Sequence, residues 1–211
     1  MIKKIAILGS TGSIGKILLN IVKKNKKIFK ISLLTANKDY KTLYIQAKKY
    51  GVKNLIITND TSYKILKKKC KKTNIKVYKN FNNFEKIFKK KIDYTMNSIV
   101  GFAGLKPTLK IIEFTEQIAI ANKESIICGW NLIKKKSILN KTKIIPIDSE
   151  HFSIWSSLNK FNINSRTNLN KSIQNLYITA SGGPFRNTPI SKFKKININQ
   201  AIKHPTWKMG K

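Results

Sequence analysis

Apolar residues recur along the chain in two alternating rhythms. Ile2 to Leu8 is a largely apolar, partly β-branched run, and the apolar positions that follow, Leu18, Leu19 and Val22, return at helical spacing. The exchange then repeats. Phe29 to Leu34 reads as a strand, Leu43, Tyr44 and Ala47 as a helical stripe, and Asn54 to Thr58 as a short strand. Asp60 to Cys70 reads as a helix and Lys76 to Tyr78 as another short strand. Asp93 to Asn97, Leu105 to Phe114 and Gln117 to Ala121 continue the series, followed by a helix through Ile127 and Trp130 and an apolar run ahead of Asp148. Alternation of this kind predicts a parallel sheet covered by helices on both faces, an α/β fold class. The lysine-rich run Lys67 to Lys72 reads as a solvated helix end.

The first strand runs into Gly9-Ser10-Thr11-Gly12-Ser13-Ile14-Gly15. Strand, glycine loop, helix is a nucleotide-binding opening, because glycine permits a tight turn and a close approach of backbone to pyrophosphate at a helix N-terminus. The spacing is Gly-x-x-Gly-x-x-Gly, and the hydroxyls of Ser10, Thr11 and Ser13 are candidate donors to the phosphates. The end of the second strand selects the cofactor. An acid there suits NADH and a cation suits the 2′-phosphate of NADPH. Lys38, in Asn37-Lys38-Asp39, favours NADPH; it also reads as one more surface lysine. Farther on, Asn97 to Gly104 carries two glycines where backbone can pass close to a ligand. Asn122, Lys123 and Glu124 fall at the carboxyl end of a strand, the edge where open α/β sheets bind ligands. Glu124 and Ser125 serve equally as first-turn charge and cap.

Charge changes the picture less than its size suggests. Across 211 residues, 43 Lys and Arg face nine Asp and Glu, a formal +34. The lysines are scattered among abundant Asn and Ile while Arg is nearly absent, as AT-rich codon drift produces. No basic stripe for specific nucleic-acid recognition stands out. A basic Rossmann-like protein that holds nucleic acid without catalysis is the alternative reading. Cys70 and Cys128 are too few for a disulfide framework. No signal peptide or membrane-length apolar run is evident, so a cytoplasmic protein is expected. Against this background Asp148 and Glu150 are conspicuous. On an extended backbone they share one side and form half of a site for a hard divalent ion. The competing reading is a cap, by Asp148 or Ser149, on a helix beginning near His151.

Five segments together resemble one enzyme family in order and spacing: Gly9 to Gly15, Ala-Asn-Lys-Glu-Ser at Ala121 to Ser125, Pro146 to His151, Ser-Gly-Gly-Pro-Phe-Arg at Ser181 to Arg186, and His204 to Gly210. The family is 1-deoxy-D-xylulose 5-phosphate reductoisomerase, which uses NADPH and Mg²⁺, Mn²⁺ or Co²⁺ in non-mevalonate isoprenoid biosynthesis. The resemblance implies a Rossmann-like NADPH-binding domain over residues 1–146. It also implies the start of an incomplete α+β catalytic domain with a lid over 147–211. By the same resemblance, Thr11, Gly12, Ser13 and Ile14 meet the pyrophosphate and Asn37, Lys38 and Asp39 surround the 2′-phosphate. Asn122, Glu124 and Gly210 close on the cofactor, and Asp148 and Glu150 are two of three metal carboxylates. Lys123, Ser149, Glu150, Ser181, His204 and Trp207 meet the sugar phosphate. The family's third carboxylate and C-terminal helical domain have no counterpart before Lys211. The expectation is therefore a fragment of low activity, the full-length enzyme being a homodimer. Asn159 to Lys171 is a polar loop without an assigned role.

Overall fold

A computed structural model of the chain describes residues 1–160, 173–178 and 182–203. The chain divides into two compact units, Met1–Trp155 and Ser156–Lys211. In the first, seven strands form one sheet: β1 (Lys3–Leu8), β2 (Phe29–Ala36), β3 (Asn54–Ile57), β4 (Lys76–Tyr78), β5 (Ile92–Asn97), β6 (Thr115–Ile120) and β7 (Lys143–Pro146). Their order is β4-β3-β2-β1-β5-β6-β7, and every pairing is parallel. Parallel neighbours need crossovers. These are supplied by α1 (Ser13–Lys24), α2 (Tyr40–Tyr50), α3 (Asp60–Cys70), the short α4 (Phe84–Ile87), α5 (Leu105–Ile111) and α6 (Lys123–Leu139). A further helix, α7 (Ser149–Lys160), follows β7. The chain reverses direction across the sheet at β1 and β5, the switch point where such sheets open a crevice.

Alternation along each strand feeds two cores. Ile5, Ile7, Leu55 and Ile57 pack with Leu19, Val22, Leu43, Ala47 and Leu66 of α1 to α3. Ala6, Leu8, Ile56, Ile118 and Ile120 pack on the other face with Phe84, Leu105, Ile111 and Ile133 of α4 to α6. A register shift between Ile5 and Ala6 lets Ile31 and Leu34, three residues apart, join the same core. Each fully buried Leu or Ile contributes about 1.5–3 kcal/mol, so this sheet is a rigid platform for the loops at its carboxyl edge.

Most predicted elements are present with ends moved by a residue or two, and α3 and β4 have the predicted bounds. The helical turns at Phe81–Asn83 and Phe84–Ile87 were not in the pattern. Lys67, Lys68 and Lys69 lie exposed in the last turn of α3, where cations complement the helix dipole. In the second unit, Gly182 and Gly183 both adopt positive φ, and a side chain on Gly182 would strike Arg186 Cβ at 2.8 Å. A short helix at Ile198–Ala201 there begins with a capping box between Asn197 and Gln200.

Candidate functional site

The glycine loop joins β1 to α1. Gly9 has φ +80°, and an added Cβ would lie 3.0 Å from Ser98 backbone atoms, so this turn demands glycine. Gly15 is pressed against the loop from inside the helix, where a Cβ would come within 2.6 Å of the Gly9 oxygen and Ser10 Cα. Gly12 is the N-cap and offers no side-chain cap, leaving the first N–H groups of α1 without an internal partner. Neither those of Ser13 and Ile14 nor that of Thr11 finds one elsewhere among the described residues. Converging N–H groups and the positive end of a helix dipole form an anion seat.

Ser10 departs from expectation. Its side chain is fully buried and its hydroxyl donates to Gln46 Oε1 at 2.7 Å, with the Thr35 carbonyl at 3.3 Å. That hydroxyl faces inward, because α2 and β2 claim it before any phosphate can.

Beyond β2, Asn37 and Lys38 keep their side chains exposed while their carbonyls are held. The Asn37 carbonyl accepts from Asn59 N–H and the Lys38 carbonyl from the Ser62 hydroxyl. Asp39 caps α2, its Oδ1 accepting from Thr42 N–H at 3.0 Å. Hydrogen bonding from the Thr42 side chain and backbone holds the Asp39 carboxyl below the usual range against the opposing effect of burial, with smaller help from the charges of Lys16 and Lys41. An ionised carboxylate repels phosphate, so of these three residues the exposed side chains able to receive one are Asn37 and Lys38.

The loops after β5 and β6 are locked together. Asn97 is wholly buried, donating to the Gly104 carbonyl and Thr108 hydroxyl and accepting from Ile99 N–H. Asn122 donates to the Ile99 carbonyl at 2.5 Å. A side chain on Gly104 would overlap the Asn122 amide, so that glycine serves internal packing, whereas Gly101 takes a positive φ in open space. Asn122 Oδ1 and Ser125 Oγ are buried with no hydrogen-bond partner among the described residues, polar atoms left over at the start of α6. Lys123 and Glu124 are exposed on the first turn. The helix dipole favours Glu124 there and disfavours Lys123, which gains from a bound anion beside it.

Asp148 and Glu150 correct an expectation about geometry. The strand ends at Pro146 and the helix starts at Ser149, so the pleat does not align the two acids. Asp148 is the cap: its carbonyl accepts from Phe152 N–H at 2.9 Å and its Oδ1 from His151 N–H at 3.2 Å. Its two carboxylate oxygens also lie 2.7 and 2.8 Å from His151 Nδ1. Glu150 is exposed on the first turn and accepts from the Ser149 hydroxyl at 3.0 Å. No group of three His, Cys, Asp or Glu able to hold a metal occurs among the described residues. Two neighbouring carboxylates nevertheless suit a hard divalent ion that draws its other oxygens from water and substrate.

All these groups lie at the carboxyl edge of one sheet. The acids after β7 stand three strands from the glycine loop, roughly 14 Å at the usual spacing. Ser181, His204, Trp207 and Gly210 lie outside the described residues, as do residues 161–171 of the polar loop. Gln46 was missed, although a polar residue at the Leu43–Ala47 spacing of an apolar stripe was a visible signal.

Residues 5–129 match the family description 1-deoxy-D-xylulose 5-phosphate reductoisomerase, and residues 144–211 match its C-terminal domain. The chain is 57% identical to the protein of that name from Pelagibacter ubique, over 99% of this chain and 53% of the relative. It is 41% identical to that of Wolbachia pipientis subsp. Culex pipiens, over 99% of this chain and 52% of the relative. Among solved structures, the reductoisomerase from Zymomonas mobilis in complex with NADPH aligns with a TM-score of 0.82 at 30% identity, covering 97% of this chain and 52% of that one. A reductoisomerase in complex with NADPH, fosmidomycin and magnesium aligns with a TM-score of 0.84 at 28% identity, covering 99% and 52%. The chain thus spans about half the length of the relatives it matches. With matched segments spanning both units, and a parallel sheet whose loops gather the expected groups at one edge, the chain belongs to the 1-deoxy-D-xylulose 5-phosphate reductoisomerase family.

Proposed function

We propose that this chain seats NADPH and gathers part of the metal and substrate site for converting 1-deoxy-D-xylulose 5-phosphate to 2-C-methyl-D-erythritol 4-phosphate. The observation that carries the reading is the common edge: the loops after β1, β2, β5, β6 and β7 all open on one side of the sheet. Thr11, Gly12, Ser13 and Ile14 receive the pyrophosphate through backbone N–H groups. Asn37 and Lys38 meet the 2′-phosphate, and Asp39 acts by capping the helix that fixes them. Asn122 and Glu124 approach the cofactor from β6, the unpartnered Asn122 Oδ1 being a ready acceptor. Gly210 completes the cofactor set.

Asp148 and Glu150 hold the divalent ion, Mg²⁺, Mn²⁺ or Co²⁺, and His151 orients the Asp148 carboxylate. Lys123 and Ser149, with Glu150, bind the oxygenated carbons of the sugar, and Ser181, His204 and Trp207 belong to its phosphate end and cover. When bound, NADPH supplies hydride and the ion supplies Lewis acidity toward the substrate's oxygens. The cofactor-seating part runs to residue 146 and the catalytic part begins at 147. The intact enzyme is a cytoplasmic homodimer.

Fluorescence titration of the chain with NADPH and NADH tests the reading. NADPH is expected to bind at least about tenfold more tightly, a difference of about 1.4 kcal/mol that one charge-assisted phosphate contact supplies. Equal affinities would remove the assignment of Lys38, and no binding of either would remove the cofactor reading itself.

A further inference from the structure

The glycine loop is held from behind by a buried residue of α2. Gln46, in the middle of α2 and only 7% exposed, makes a two-point contact with Ser10. Its Oε1 accepts from the Ser10 hydroxyl at 2.7 Å, and its Nε2 donates to the Ser10 carbonyl at 2.9 Å. The second bond matters most. A trans peptide is planar, with C=O and N–H pointing in opposite directions, and no cis peptide occurs among the described residues. Drawing the Ser10 carbonyl toward α2 therefore turns the Thr11 N–H away from α2, where it makes no hydrogen bond among the described residues. A rotated Ser10–Thr11 peptide would present a carbonyl oxygen where the anion seat needs a donor.

We propose that Gln46 is a positioning residue for the cofactor, fixing the Ser10–Thr11 peptide so that the Thr11 N–H faces the pyrophosphate. The neighbouring anchors do not replace it. Thr35 holds the Gly9 and Ser10 N–H groups, and the Ser98 hydroxyl donates to the Leu8 and Gly9 carbonyls. Gln46 is the donor to the Ser10 carbonyl itself. The inference rests on the NADPH reading above.

The test compares two probes on the 211-residue chain. NADPH carries both the pyrophosphate and the 2′-phosphate, whereas adenosine 2′-monophosphate carries only the latter. Gln46→Met keeps the volume and removes both hydrogen bonds. NADPH affinity is expected to fall about tenfold, as loss of an oriented donor to a phosphate predicts, with adenosine 2′-monophosphate affinity unchanged. Ser10→Ala, the gentler variant, removes the hydroxyl's contacts to Gln46 Oε1 and the Thr35 carbonyl but keeps the Nε2 bond to the Ser10 carbonyl, and is expected to cost NADPH about threefold, again sparing the smaller probe. Unchanged NADPH affinity in both variants overturns the proposal. So does an equal loss for both probes, the signature of a merely structural residue. If wild type binds adenosine 2′-monophosphate but not NADPH, or neither, the cofactor reading fails instead.

Discussion

Asp39 is one of nine acids in a chain of 43 cations, and it is spent on a helix cap. Its carboxyl is held below the ordinary range in the fold, by hydrogen bonding from Thr42 first and by Lys16 and Lys41 after it. The folded-state value is thus below the unfolded one. Its stabilisation is fully present above the unfolded value and is lost as pH falls through the folded one. Asp39→Ala is expected to cost about 1 kcal/mol at neutral pH, a cap's usual worth, since ion pairing at an exposed carboxylate is screened. The penalty shrinks as pH falls below the ordinary carboxylate value and is gone only once the folded wild-type carboxyl, which is held lower, has protonated as well. Urea unfolding of both proteins at neutral and acid pH measures this, and a penalty constant with pH would show that the carboxylate's charge contributes nothing. The residue scale is also where the sequence was least legible. Ser10 carries a hydroxyl in a phosphate loop, yet only the packing of α2 decides that it faces Gln46.

At the scale of elements, the fit of α1 against its own loop separates stability from binding. A methyl at Gly15 meets backbone atoms of Gly9 and Ser10, which cannot rotate away, whereas one at Gly12 sits 3.4 Å from the Gly9 oxygen in ordinary contact. Gly15→Ala is expected to destabilise by about 1–3 kcal/mol, overpacking outweighing alanine's helix preference. Gly12→Ala is expected to cost at most about 1 kcal/mol, because its φ of −75° suits any residue and alanine is only a poorer N-cap, yet it puts a methyl in the proposed pyrophosphate seat. Chemical denaturation and NADPH titration on both variants check the split; a stable Gly15→Ala protein would mean that α1 can slide on the loop.

Strands β1, β2, β5 and β6 were legible from apolar runs that give way to glycine or asparagine, and the short β3 and β4 from their place between helical stripes. The turns around Phe84 were not, being too short to show a period. For Asp148 and Glu150 two readings stood open, a shared pleat or a helix cap, and the cap by Asp148 is the one the structure shows. Two residues decide whether acids sit on a pleat or a helix start, and sequence periodicity does not resolve two residues.

At the scale of the whole molecule, a formal +34 is a cost to folding as well as an attraction for anions. Among the described residues, lysine pairs with acid at Lys3–Asp93, Lys79–Asp60 and Lys136–Glu113. With so few acids, most of the remaining cations face one another across solvent. Such repulsion acts over the Debye length, which shrinks from about 30 Å at 0.01 M salt to about 8 Å at 0.15 M. Sodium chloride should therefore stabilise this chain, where a protein held by surface ion pairs would be weakened. Thermal unfolding across that salt range is expected to show Tm rising by about 3 °C for each 1 kcal/mol of repulsion removed. A Tm that stays level or falls would mean that the lysines are spaced widely enough to ignore each other, or that the few ion pairs outweigh them. On the proposed reading, the same screening should weaken NADPH more than NADH, since the 2′-phosphate would bring additional charge toward Lys38. Opposite responses of folding and cofactor binding to one variable would tie both to the scattered lysines.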